Sequence, residues 1–194
     1  YAPDKKYSFV PLHKRDWDVS YRARGLKETF PWLGLKAFEK SDIAEKFQAK
    51  NPSLKLNIST AENERVYGKL WTELLRQSRA TLITISGASI VDFDGSIEYE
   101  LRQMLLQEEM TSEQIISKVE KYDGNINATM ISPRVFEAAN CHTALVGFRD
   151  HYNGILEPGV DYVVLERDFS NVEQVIDTIK NDTLITNIIK KWLI

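Results

Sequence analysis

A chain of 194 residues with 43% hydrophobic content is long enough to bury one good core, and one domain is the expectation at that size. Its net charge of -3 argues against a general binder of nucleic acid or of anionic membranes, both of which need an excess of positive charge. A single cysteine rules out an internal disulfide framework and fits a reducing compartment; with no signal-peptide pattern and no apolar run of bilayer length, a cytoplasmic location is expected.

Residues 1–15 read as a linker or edge segment: YSFVPL over 7–12 has strand-like composition, but Pro11 keeps it out of a central strand. Residues 16–24 (DWDVSYRAR) alternate as a strand does and run into Gly25, with Lys and Arg outnumbering Asp through the region. Positive charge therefore gathers where a strand ends, and in an open α/β sheet that end is where ligands bind. Arg22 and Arg24 are candidates for a bidentate diphosphate clamp; on spacing alone, solvated surface arginines are an equal reading. A helix is expected over 41–50 with Ile43, Ala44 and Phe47 inward, and Lys40 just before it is a weaker phosphate candidate. LKLNI at 54–58 alternates as a second strand. The clearest helix pattern runs over 62–79, with Val66, Leu70 and Leu74 on one side and Tyr67, Trp71 and Leu75 beside them as core.

ATLITI at 80–85 is a strand by composition, and Ser86, Gly87 and Ser89 follow it in a small-residue loop that lets backbone approach a ligand. Two helices are expected over 96–109 and 111–122, a helical excursion of about 96–125 whose excess of acids reads as a solvated face. Ser132 followed by Pro133 marks a helix start, a cap residue and then a residue with no N–H to satisfy. Arg134 and Glu137, three residues apart, lie near that anion-attracting terminus, while Val135, Phe136 and Ala139 share the apolar face. Cys141 ends that helix as a structural thiol, and 142–148 reads as a buried parallel strand. The polar, glycine-marked loop 149–159 lies at the carboxyl end of that strand, which makes His151, Tyr152 and Gly154 candidates for ligand contact. The three histidines share no ligand spacing, so no metal site is expected from them. A strand at 161–166, a helix burying Val172, Val175, Ile176 and Ile179, and a last helix over 183–194 with Leu184, Ile185, Ile188, Ile189 and Trp192 as its stripe complete the chain. Strands alternating with helices predict an α/β fold, a Rossmann-like, doubly wound parallel sheet.

The stretch ISPRVFEAANCHTALVGF (131–148) resembles the donor-binding half of type-B-fold glycosyltransferases, in which a glutamate on this helix holds the ribose of a nucleotide-sugar. Glu137 matches that glutamate; the family's earlier partner glutamate is replaced by Thr129. SGASIVDFDGSI (86–97), HYNGILEPGVDYVVLERDFSN (151–171) and DVSYRARG (18–25) resemble a bacterial, group-1-like branch of the same transferases, so that the likeness covers most of the chain. The resemblance implies that residues 16–194 are a nucleotide-sugar-binding Rossmann-like domain, the C-terminal half of the type-B fold. Ser86, Gly87, Ser89 and Ser132 would then face the nucleotide, Arg22, Arg24 and Arg134 would stabilise the leaving diphosphate, and an N-terminal acceptor domain would precede Tyr1 and supply the base. No cofactor beyond the nucleotide-sugar substrate is implied, and no metal. Asp92-Phe93-Asp94 has the form of the manganese motif of type-A transferases, but Gly95-Ser96 opens a helix at once and suits the pair to turn and cap roles. A nucleotide-sugar epimerase or phosphorylase on the same fold, or a non-catalytic α/β binding module, are the competing readings.

Overall fold

The computed structural model describes residues 7–50, 53–107 and 110–191. In chain order the elements are β1 (Trp17–Arg22), α1 (Leu35–Lys50), β2 (Leu56–Ser59), α2 (Gly68–Arg76), β3 (Ser78–Ile83), β4 (Ser86–Ala88), α3 (Ser96–Gln107), α4 (Ser112–Val119), β5 (Ala128–Met130), α5 (Pro133–Asn140), β6 (Ala144–Phe148), β7 (Val163–Leu165), α6 (Val172–Lys180) and α7 (Asp182–Lys190). Five strands form one sheet in the order β2-β1-β3-β6-β7, each pairing parallel, which requires crossover connections; the crossovers before β6 carry helices, while the one from β6 to β7 is a loop with a 3-10 turn at Tyr152–Gly154.

The period-two alternation of the strands divides the core between the two faces. Val19, Leu82, Val146 and Leu165 pack with Ile43 and Phe47 of α1 and with the apolar stripes of α6 and α7. Ile83 and Leu145 pack on the other face with Leu75 of α2 and with Val135 and Ala138 of α5. With helices on both faces, the architecture is α/β and Rossmann-like, as the alternation of elements predicts. No helix among the described residues is long and apolar enough to cross a membrane.

Residues 7–15, expected as a linker or edge segment, are irregular with a 3-10 turn at Leu12–Lys14, tied down by buried Leu12 and by Arg15, whose Nη1 donates to Ser78 O of the central strand at 2.6 Å. Several local expectations are corrected. α1 starts at Leu35, a turn and a half before the expected start. The helix expected over 62–79 is broken into a 3-10 turn, Glu62–Glu64, and α2. Gly68, at φ +55, makes the break, and Tyr67 and Leu70 are 63% and 70% exposed instead of core. The 86–89 loop is a short strand, β4, paired antiparallel with β5. Glu109, the expected end of α3, and Trp192, on the stripe of the last helix, lie outside the described residues.

The helical excursion between β4 and β5 has a core of its own. Leu101 of α3 and Ile115 and Val119 of α4 pack with Ile90 and with Ala37 and Phe38 of α1. α1 therefore serves two cores, its first turns that of the excursion and its later turns that of the sheet. The excursion returns a cap: Asp123 Oδ1 accepts from Leu35 N at 2.8 Å and Ser89 Oγ accepts from Lys36 N at 3.1 Å. These satisfy donors that the start of a helix leaves open.

Candidate functional site

Strand order reverses between β1 and β3, since the chain leaves β1 through α1 towards β2 and returns to the other side of β1 for β3. Ligands of open α/β sheets bind outside the carboxyl ends of the strands at such a point. A cleft of about 360 Å³ lies there, floored by Tyr21, Leu82, Ile83 and Thr84 and closed on one side by Ser132, Arg134 and Val135 at the start of α5. Among the described residues four cations line it, Arg24, Lys40, Arg65 and Arg134, and no acid does. The positive end of α5 faces the same space.

The four cations differ in what holds them. The Arg24 guanidinium forks onto the Glu62 carboxylate, Nε to Oε2 at 3.1 Å and Nη2 to Oε1 at 3.3 Å, and Arg65 Nη1 donates to the same Oε1 at 2.8 Å. Arg134 lies over the Trp71 ring, 5.3 Å from its centroid, and donates to the backbone carbonyl of Arg22. Neither Lys40 nor Arg134 forms an ion pair with a described residue. Burial, and then the Arg134 charge, push the Lys40 ammonium below the ordinary lysine range. A half-buried cation beside a second cation, with no carboxylate, is relieved by an anion. Beneath them burial raises the Tyr21 phenol to about 12, against hydrogen bonding with Thr84 and the charge of Arg134, so it stays neutral.

Of the residues singled out by sequence, Arg24, Arg134, Ser86 and Ser132 meet in this cleft, together with the weaker candidate Lys40. Ser132 stands at the N-cap position, but its side chain makes no cap hydrogen bond. Glu137, one turn along α5, is not in the lining; its Oε2 accepts from Trp71 Nε1 at 2.7 Å. Arg134 and Glu137 thus do not pair with each other but both bear on Trp71.

Others are placed elsewhere. Arg22 turns away from the cleft, donating to Glu64 O at 2.9 Å, Tyr21 O at 2.9 Å, Asn57 O at 2.8 Å and Asn57 Oδ1 at 2.7 Å. It is a tie between β1, β2 and the Glu62–Glu64 turn, which corrects its reading as a phosphate clamp. Gly87 faces β5: a Cβ there would stand 1.9 Å from Ala128 O, so strand pairing, not a ligand, demands the glycine. Tyr152 is fully buried, T-shaped against Tyr162 and donating to Phe148 O at 3.2 Å, which corrects it as a ligand contact. Gly147 makes room for it, since a Cβ there would meet the Tyr152 hydroxyl at 2.8 Å and Ile83 O at 2.7 Å. Gly154, at φ +71, and exposed His151 stand in the loop beyond β6 and do not line the cleft. Asp92 accepts from Gly95 N and Glu98 N, and Asp94 from Ser96 N, so both carboxylates hold the entry to α3. No group of three or more His, Cys, Asp or Glu among the described residues is placed to hold a metal. Cys141 is buried, and burial raises its thiol to about 12, which leaves it unreactive.

A second cleft, of about 390 Å³, opens between α1 and the ends of β6 and β7, and Ser89 belongs to it. Its charges are balanced. Lys36 Nζ is 2.8 Å from Asp150 Oδ2 and 3.2 Å from Glu39 Oε2, while Arg167 Nη2 is 2.7 Å from Asp150 Oδ2 and 3.1 Å from Glu39 Oε1. Burial raises the Asp150 carboxyl, but hydrogen bonds from Lys36, His151 N and Arg167 outweigh it and hold the group below the usual carboxylate range.

Sequence reasoning missed Arg65 and Thr84. Arg65 was hidden by reading 62–79 as one helix, and Gly68 was the signal that could have opened it. No protein-family model, curated protein or solved structure matches the chain.

Proposed function

We propose that the switch-point cleft binds the diphosphate of a nucleotide-sugar, and that the chain is the donor half of a type-B glycosyltransferase. The observation that carries this reading is the lining of Arg24, Lys40, Arg65 and Arg134, with no acid among the described lining residues, at the carboxyl ends of β1 and β3. As the bond between the sugar carbon and the diphosphate oxygen breaks, negative charge grows on the diphosphate. Cations fixed beforehand stabilise that charge more than they stabilise the intact donor, which is how such a site accelerates transfer. Glu137, oriented by the Trp71 indole, would hold the ribose hydroxyls. The acceptor and the base that activates it would come from a second domain, so the chain by itself binds the donor, and hydrolyses it weakly, without acceptor-dependent transfer.

Titration calorimetry with uridine and guanosine diphosphates, with and without a chelator, tests the reading. Binding of one of them is expected, insensitive to chelator and weakened in Glu137→Gln. Binding that requires manganese and is lost in Asp92→Ala would replace it with a metal-dependent site, and no binding of either nucleotide would refute it.

A further inference from the structure

Within the cleft the two pairs of cations are in different states. Lys40 and Arg134 have no carboxylate partner among the described residues, whereas Arg24 and Arg65 already share one, that of Glu62. The Glu62 side chain is 61% exposed, and an ion pair so open to water adds little to stability. What its geometry resembles is a ligand: two coplanar oxygens received by an arginine fork and a second arginine, the arrangement that also receives two oxygens of a phosphate. The arginines are held independently of it, Arg24 over the Phe30 ring at 5.7 Å and Arg65 over the Tyr67 ring at 5.0 Å.

We infer that Glu62 is an internal stand-in for the second phosphate of the ligand. The cleft has an inner anion subsite, Lys40 and Arg134, which is open, and an outer one, Arg24 and Arg65, which a diphosphate enters by displacing Glu62. A monophosphate fills the inner subsite and leaves Glu62 where it is. The carboxylate therefore competes with the outer phosphate alone, and on recapturing the arginines it speeds departure of the diphosphate, the product of a donor site. The inference rests on the nucleoside-diphosphate reading of the cleft.

The experiment compares wild type with Glu62→Gln, using the diphosphate that binds wild type more tightly and the monophosphate of the same base. Affinities come from calorimetry and dissociation rates from stopped flow. The expected result is about tenfold tighter diphosphate binding in Glu62→Gln, carried by slower dissociation, with the monophosphate changed by less than about twofold, the residue of a screened long-range charge. Adding Arg24→Ala to Glu62→Gln should abolish the gain. An equal shift for both nucleotides would make Glu62 a mere background charge, and weaker diphosphate binding would make it a positioning residue for the arginines; either overturns the inference while the cleft remains a nucleotide site. If wild type and Glu62→Gln both fail to bind any nucleotide, the inference and the reading beneath it fall together.

Discussion

Around Asp150, two cations and two carboxylates close into a ring; around Lys40, four cations gather with a single carboxylate among the described residues, that of Glu62, which two of them share. Both clusters lie at the carboxyl end of the same sheet, both are partly buried, and both draw on α1. The ring satisfies its own charges, so its attraction is spent inside the protein. The switch-point cluster leaves positive charge unmatched where water is partly excluded, and its attraction is available to something that arrives from outside. Position in the fold does not separate the two clefts; charge balance does.

Removing one cation from each cluster should break the comparison most sharply. Arg134→Ala is expected to weaken nucleoside-diphosphate binding about ten- to hundredfold, the equivalent of one charge-assisted contact of about 1.5 to 3 kcal/mol. Arg167→Ala, in the ring, should leave that affinity unchanged. Equal losses in calorimetry would mean that the two clefts form one electrostatic unit. Since Arg134 also stacks on Trp71, near-ultraviolet circular dichroism should accompany the titration.

The converse effect belongs to the ring. Asp150→Ala leaves Lys36 and Arg167 to share the one remaining carboxylate, that of Glu39, and should cost about 1 kcal/mol of stability, read as a lowered denaturant midpoint with nucleotide affinity retained. A midpoint within error of wild type would show that the ring does not hold α1 to the sheet.

The smallest effect sharpens the comparison through pH. Lys40 is pushed below the ordinary lysine value of 10.5, so its charged form is disfavoured in the folded state. The penalty is present at neutral pH and lifts as pH rises through the depressed value towards 10.5, where the unfolded chain holds more protons than the folded one. Lys40→Met should therefore be slightly more stable than wild type at neutral pH and bind diphosphate less well, the stability gain fading in alkali. Thermal melts across the alkaline range check the sign, and a variant less stable than wild type at neutral pH would show that Lys40 has a favourable partner.

The sequence made the local elements plain where chemistry and periodicity agree. Ser132-Pro133 and the apolar run after Cys141 announce α5 and β6 without help from the rest of the chain. What stayed hidden depends on distant partners. Nothing near Gly87 says that Ala128 will pair with it, so locally its need for close approach looks the same as room for a ligand. Arg22 and Arg24 are two residues apart and should share a face in a strand, but β1 ends at Arg22, and beyond that point the period no longer governs. Lys40 entered the cleft because α1 starts six residues before the expected Ser41, fixed there by a carboxylate from residue 123, which no local reading supplies.

That remote cap ties together parts that look separable. If Asp123 and Ser89 let go, the first amides of α1 lose their acceptors and Ala37 and Phe38 lose their cover, on the same helix that carries Lys40 into the cleft. In hydrogen exchange, the start of α1 and the buried amides of α4 should open as one cooperative unit, with a shared free energy below that of the sheet. An anion that grips Lys40 then slows exchange in a helical excursion it never touches.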